Sequence, residues 1–380
     1  MMPKRKRNPN GAGTITKRKD GRYQAAVYVL QPDGTRDRKF VYARTWEECD
    51  RLRQELIAKT RNGVPVPTRS ATLAEWLPYW LEHVIKPKRK RTTVAKYEMH
   101  IRRYLVPGLG TKRLESLTPA HVRAFLAQHA RRTTPATAKE SHRVLRSALS
   151  AACRDELVTR NVAALVEPPR VVEREFVPWT LEQTLRFLEA ARRDPLYAAF
   201  VLVICLGLRR GEVLGLRWSR VDLDQGVIYV RKQIQRVNGE LYEDDPKGRR
   251  RRAVPLPRIC VVALRWQRLR QAAQRERAGA NWQDSDYVFT TRTGRPIEGR
   301  NLYRSFTRIA AAAGLPVIRL HDTRHGCATL LAAQGVQPRV IMEILGHSQI
   351  GVTMNVYTHV VQDSQREALA HMDRLLRRQR

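Results

Sequence analysis

Four short stretches in the C-terminal half of the chain carry side chains suited to chemistry at phosphorus. In "LGLRRGEVLGLRW" Arg209 and Glu212 stand three apart on one helical turn, so the carboxylate can orient the guanidinium. In "DDPKGRRRRAVPL" Lys247 occupies a turn just ahead of a basic strand. In "RLHDTRHGCATLL" His321, Arg324 and His325 fall at i, i+3 and i+4 near a helix start, where backbone N–H groups favour anions. In "EILGHSQIGVTMNVYTHV" Gly346 reads as a helix stop, His347 follows directly, and Tyr357 comes ten residues after His347. Taken singly, each has an ordinary explanation: a surface ion pair, a solvated hairpin tip, or, for Tyr357, the last member of a packing stripe with Ile350, Thr353 and Met354. The histidines have zinc spacing, but the glutamate of a zinc protease is missing and Arg324 would repel a cation.

Together the groups describe one reaction. A tyrosine phenol has a pKa of about 10 and is a poor nucleophile at neutral pH. Two arginines, a lysine and histidines around it would favour the phenolate and neutralise the added charge of five-coordinate phosphorus. Fixed donors aimed at such charge are worth about 10²-fold or more each. A leaving 5′ oxygen needs a proton, which Lys247 can supply, and His321 can exchange protons near pH 7. The acidic clusters of two-metal nucleases are not evident, so the expected chemistry uses no metal and no other cofactor.

Composition says what such a site would act on. Lys and Arg number 71 against 36 Asp and Glu, a formal charge of +35 on 380 residues, which calls for a polyanion. Nucleic acid is the first candidate, because each neutralised phosphate releases counterions; an anionic membrane surface is the second. No apolar run approaches the length of a membrane span, and the basic start "MMPKRKRNPN" leads into no secretion signal, so a cytoplasmic protein without a membrane partner is expected. The five cysteines form no CxxC pair, which fits a reducing compartment, and Cys153, Cys205 and Cys327 read as small core residues.

The elements that must position the site follow from periodicity. Residues 14–43 alternate in runs broken at Asp20-Gly21 and Asp33-Gly34, which predicts a three-stranded antiparallel sheet, followed by a helix capped by Thr45 and Glu48. Lys17, Arg18, Lys19 and Arg22 make this unit a candidate for the DNA major groove, although basic edge strands also serve to prevent aggregation. After the linker "NGVPVPTRSAT", Thr72 and Glu75 cap an amphipathic helix through Trp76 and Trp80, and three more helical patterns follow, the second stopped by Pro107 and Gly108. Between the first two lies the basic run "KPKRKRTT", where Lys86, Lys88, Arg89, Lys90 and Arg91 surround Pro87 at a helix entrance able to hold phosphates. Pro168-Pro169 begins a tether. From Thr180 helices dominate, apart from a small sheet within 226–257 and a strand at "DYVFTT". The fold class expected is multidomain and mainly α, divided as 1–65, 70–168 and 174–380.

In order and spacing, these motifs resemble the tyrosine recombinase (phage integrase) family of the three-domain, arm-binding type. The family's "GLRxxE" arginine falls on Arg209 with Glu212, its hairpin lysine on Lys247, its "HxxR" box on His321 and Arg324, its "GH" histidine on His347 and its nucleophile on Tyr357. Leu206 stands where many relatives have threonine, and Gly326 and Cys327 where bulkier residues are common; both places flank the motif residues. The resemblance implies an arm-type DNA-binding domain at 1–65, a helical core-type DNA-binding domain at 70–168 and a catalytic domain at 174–380. It implies a DNA integrase that works through a 3′-phosphotyrosine as a homotetramer on core and arm sites in a bacterial host's nucleoid, with a DNA-bending host factor and an excisionase as possible partners. The apolar stripe Leu369, Met372, Leu375 and Leu376 could dock on a neighbouring protomer or on its own domain. Two other functions fit part of the pattern: a type IB topoisomerase, and a non-catalytic DNA-binding regulator, which would have no use for the tyrosine.

Overall fold

A computed structural model of the protein describes residues 12–30, 34–63, 71–172, 177–246 and 251–346. Lys247, His347, Tyr357 and the apolar stripe of the C-terminal tail lie outside these described residues. The chain divides into two compact units, residues 1–173 and 174–380.

The first unit opens with the expected antiparallel sheet, β1 (Thr14–Lys17), β2 (Tyr23–Leu30) and β3 (Arg36–Ala43), in that spatial order. Its first turn needs glycine, since Gly21 has φ +84°, and Asp20 accepts the backbone N–H of Arg22. Period-two alternation turns Ile15, Ala25, Val27, Val29 and Val41 toward α1 (Trp46–Arg61), which answers with Cys49, Leu52, Leu56 and Ile57. Thr45 caps α1 by accepting from the Glu48 N–H. The other face of the sheet leaves Tyr28, Phe40 and Tyr42 exposed, with Arg38 over Phe40 and Arg18 over Tyr42.

The helical part follows. Thr72 and Glu75 cap α2 (Leu73–Trp80) reciprocally, as their spacing predicts. Then come α3 (Arg91–His100), α4 (Val106–Leu109), α5 (Pro119–Arg132) and α6 (Pro135–Arg154). Pro107 and Gly108 do not stop the second helical pattern, which runs on to Leu109. Proline has no N–H to give and its ring crowds the carbonyl four residues back. The wide turn Ile101–Leu105, where the Val106 N–H reaches Ile101, takes up that misfit. Gly108 is there for close packing: a Cβ would stand 2.4 Å from the ring of Phe125. Trp76, Trp80, Leu105, Leu145 and Leu149 fill the core, and the indole N–H of Trp76 donates to the Ala148 carbonyl at 3.1 Å.

Inside that core Ser141 Oγ sits 2.9 Å from both His100 Nδ1 and His129 Nε2. One hydroxyl can donate to one ring and accept from the other, so both imidazoles are satisfied while neutral. Burial lowers the pKa of each. Ser141→Ala would leave both ring nitrogens without this partner, and a loss of about 2 kcal/mol is expected. Urea denaturation of the full chain, followed by tryptophan fluorescence, checks it.

In the second unit α7 (Leu181–Ala191) packs on α8 (Tyr197–Leu206), an almost wholly buried helix, and α9 (Arg210–Leu214) follows at once. Two small antiparallel sheets come next: β4 (Val221–Asp222), β5 (Val227–Val230) and β8 (Arg252–Pro255) form one, and β6 (Gln233–Val237) pairs with β7 (Glu240–Asp244) in the other. Helices α10 (Arg258–Ala278), α11 (Gly299–Ala312), α12 (Asp322–Ala333) and α13 (Pro338–Leu345) complete the described part. The strand expected at "DYVFTT" is reduced to isolated bridges at Tyr287 and Thr290. Side chains replace the ladder there: Gln267 and Gln271 of α10 donate to the carbonyls of Val288 and Tyr287 at 2.7 and 2.8 Å. The fold is thus mainly α with small antiparallel sheets, in line with the sequence. Among the described residues no helix is long and apolar enough to cross a membrane, and no group of His, Cys, Asp and Glu could hold a metal ion.

Candidate active site

The site starts where α8 ends. Gly207 takes φ +58°, and a Cβ there would stand 2.1 Å from Leu345 Cδ2, so only glycine lets the chain turn so close to α13. Two residues later Arg209 caps α9, and its own N–H donates to Glu212 Oε2 at 3.1 Å. Its guanidinium donates to Glu212 Oε1 at 2.7 Å and to the Gly346 carbonyl at 2.9 Å.

Glu212 is 1% exposed. A second guanidinium reaches it from β8, Arg252 Nη2 at 2.9 Å, while Arg252 Nε donates to the Ile344 carbonyl at 3.0 Å. Burial alone would raise the carboxyl's pKa. The hydrogen bond and charge of Arg252, then the charge of Arg209, outweigh burial and hold Glu212 below its ordinary value, as a carboxylate.

Arg324 projects from α12 and is 2% exposed. Its Nη1 donates to the Gly207 carbonyl at 2.6 Å; its Nη2 is buried and has no hydrogen-bond partner among the described residues. Burial and then the charge of Arg209 pull its pKa down to about 9, with Glu212 working the other way, so it remains a cation at neutral pH. Three guanidiniums around one carboxylate leave a positive surplus and, among the described residues, the buried Arg324 Nη2 without a partner. The arrangement suits an anionic oxygen.

His321 caps α12, and its ring meets that of His325 edge-on, 5.5 Å between centroids. Although His321 keeps solvent contact, enough protein surrounds the imidazole to penalise its charged form. Burial first, then His325, Arg324 and, after an opposing effect of Asp322, Arg209 depress its pKa to about 4. At neutral pH it is therefore an uncharged donor and acceptor, whereas the sequence suggested proton exchange near pH 7. The buried Asp322, bound by the backbone N–H and guanidinium of Arg319, fixes the start of α12.

Arg209, Glu212 and Arg324 thus come together, with His321 one turn before Arg324. Lys247, His347 and Tyr357 are outside the described residues, but the carbonyl just before His347 is the one Arg209 holds. Sequence reasoning passed over Arg252 as one of a basic run. The signal was parity: Arg252 shares a strand face with buried Val254. Of the DNA-binding candidates, Arg22 pairs with Asp20 at 2.8 Å, Arg18 donates to Gln24, Lys17 lies over the Tyr23 ring and Lys19 is exposed. In the helical part Lys86 pairs with Glu82, Lys88 and Arg89 are exposed, and Arg91 opens α3.

Residues 179–363 match the model of the phage integrase family, and residues 72–130 that of the phage integrase N-terminal SAM-like domain. An integrase of Saccharopolyspora erythraea is 30% identical, the alignment covering 99% of this chain and 98% of that protein. The chain belongs to the phage integrase family, the tyrosine recombinases. A XerC-like tyrosine recombinase of Caldanaerobacter subterraneus is 29% identical over 93% of this chain and 96% of its own length. The Tn1549 transposon integrase, solved with a circular intermediate DNA, has the same fold, with a TM-score of 0.67 at 23% identity over 80% of this chain and 100% of that one. In this recombinase the first model covers Arg209, Glu212, Arg252, His321 and Arg324, and the second covers helices α2 to α4 and most of α5.

The depressed histidine fixes the sign of a pH effect. Above pH 6.5 His321 is neutral folded and unfolded alike; between about 6.5 and 4 the unfolded chain takes up a proton that the folded recombinase refuses, so stability drains as pH falls through that window. Chemical denaturation of wild type and His321→Gln at pH 7 and 4.5 should show the larger loss in wild type.

Proposed function

We propose that this recombinase integrates a mobile DNA element, and can excise it, by cleaving and rejoining strands through a 3′-phosphotyrosine on Tyr357. The observation that carries the reading is the unpaired, buried Nη2 of Arg324 in a cluster with Arg209, a donor pair awaiting the oxygens of a phosphodiester.

The Tyr357 oxygen attacks phosphorus in line; the P–O5′ bond breaks as the O–P bond forms. The phenol's proton passes to water, and Lys247 gives one to the departing 5′ oxygen. Arg209 and Arg324 hold the non-bridging oxygens, with Glu212 keeping Arg209 in place. His321, neutral in the free protein, donates its ring N–H to a phosphate oxygen, whose charge would draw its pKa upward. His347 completes the set. The bond energy is kept in the phosphotyrosine, so a 5′ hydroxyl from a partner duplex reverses the step and exchanges strands without ATP or metal.

The remaining parts supply DNA. Residues 1–65 act as an arm-type binding domain, whose exposed aromatic and arginine face offers groove contacts beyond Lys17, Arg18, Lys19 and Arg22. Residues 70–168 bind the core site, with the basic run through Arg91 on phosphates, and 174–380 form the catalytic domain. The protein works as a homotetramer bridging core and arm sites, with a DNA-bending host factor and an excisionase setting direction.

A nicked suicide substrate carrying the attachment site tests the reading. Wild type should trap a covalent adduct mapping to Tyr357, and Tyr357→Phe should bind the same DNA yet trap none. Arg209→Ala and Arg324→Ala should each lower trapping about 10²-fold or more while binding persists, because many other cations contact the backbone. Wild-type trapping by Tyr357→Phe or by the Arg324 variant would overturn it.

A further inference from the structure

Every donor that Arg252 uses is spent inside the protein. Its Nη2 and Nη1 lie 2.9 and 3.4 Å from the two oxygens of Glu212, and its Nε lies 3.0 Å from the Ile344 carbonyl. Arg252 is thus bonded to two of the segments that make the site while belonging to a third. Through Glu212 it braces the carboxylate that orients Arg209. Through Ile344 it holds the last turn of α13, whose final carbonyl, Gly346, is held in turn by Arg209. Cations at a helix C-terminus are favoured by the exposed carbonyls there. The packing is close, since a Cβ on Gly346 would stand 2.8 Å from Arg252 Nη1, and Gly346 has φ +70°.

We propose that Arg252 is a positioning residue for strand cleavage, clamping the C-terminal end of α13 to Glu212 so that the segment leading to Tyr357 departs from a fixed point beside Arg209. It touches no reacting atom. Its other tie is to the lysine hairpin, because it stands five positions after Lys247 along the chain. The α13 tie is the one that matters, which rests on the reading of Tyr357 and Lys247 given above.

The two ties separate experimentally. On a substrate whose scissile 5′ oxygen is replaced by bridging sulfur, the leaving thiolate needs no proton, so a variant that fails to deliver the lysine's proton recovers. Single-turnover adduct formation is measured on the oxygen and sulfur substrates for wild type, Lys247→Ala, Arg252→Met and Arg252→Lys. Arg252→Met is expected to lose on the order of 10²-fold on both substrates, as a misplaced reacting group does. Arg252→Lys, which keeps the charge and can reach one acceptor, should recover part of the rate. Site binding should stay within roughly threefold of wild type, since all three nitrogens of Arg252 already bond within the protein. Arg252→Gln, which can still donate to one carbonyl, is read in the same way if the methionine variant does not fold. Recovery of the Arg252 variants on the sulfur substrate, or a wild-type rate on the oxygen one, overturns the proposal. Tyr357→Phe run alongside keeps the claims apart: an adduct there overturns the nucleophile assignment, whereas an undiminished Arg252 variant overturns only the positioning role.

Discussion

A carboxylate that is almost wholly out of water must be surrounded by donors, and in this protein that requirement organises the site. Glu212 receives two hydrogen bonds from the Arg209 backbone and guanidinium and two from Arg252, so the residue ties the end of α8, the start of α9 and the strand β8 into one unit. Removing one partner of such a buried pair typically costs about 3–5 kcal/mol, because the other charge is left uncompensated. Glu212 also sets how much positive charge the site can store. One carboxylate stabilises neighbouring guanidiniums that would otherwise repel, but it does not neutralise all of them. Arg324 shows the remainder, a cation whose pKa is pulled down to about 9 by burial and by Arg209.

Helix ends do the positioning. Gly207 closes α8 in a left-handed conformation that brings its carbonyl to Arg324, and Gly346 closes α13 in another that brings its carbonyl to Arg209. His321 and Arg324 stand at the N-terminal turn of α12, where the helix dipole favours an anion, while the two arginines serving α13 stand at its C-terminal turn, where carbonyls favour cations. Leu206, Gly326 and Cys327, the departures flanking the family pattern, fit this packing. Leu206 is buried, a Cβ on Gly326 would meet Pro178 only at ordinary contact distance, and the Cys327 thiol donates to the Cys205 carbonyl at 3.5 Å.

Local signals were readable from the residues alone: Thr72 with Glu75, Asp20 with Gly21, and Arg209 with Glu212 all act within one turn of chain, where spacing nearly determines contact. What the sequence hid was tertiary. Pro107 looks like a helix stop until a wide turn relieves it. "DYVFTT" has the composition of a strand, but glutamines of α10 take its carbonyls instead of a neighbouring ladder. Arg252 disappears among four consecutive arginines, and only its shared parity with Val254 marks it as turned inward. The charge state of His321 depends on how much protein surrounds it and on cations from two segments, neither of which a local motif records.

The large positive charge of the chain therefore separates into two populations. Most of the excess sits on exposed side chains such as Lys19, Lys88 and Arg89, whose attraction to phosphates is screened within about 8 Å at physiological salt. The cluster at Glu212 is buried, its geometry is fixed by backbone carbonyls, and added ions reach it poorly. Exposed cations can gather DNA without holding any one phosphate in place; the buried ones can hold a phosphate but are too few to gather a duplex. A protein that must first find a site and then break one bond in it needs both kinds. His321 stands between them: exposed to solvent, yet held neutral by the protein and cations around it, so it adds no repulsion to an already crowded set of guanidiniums.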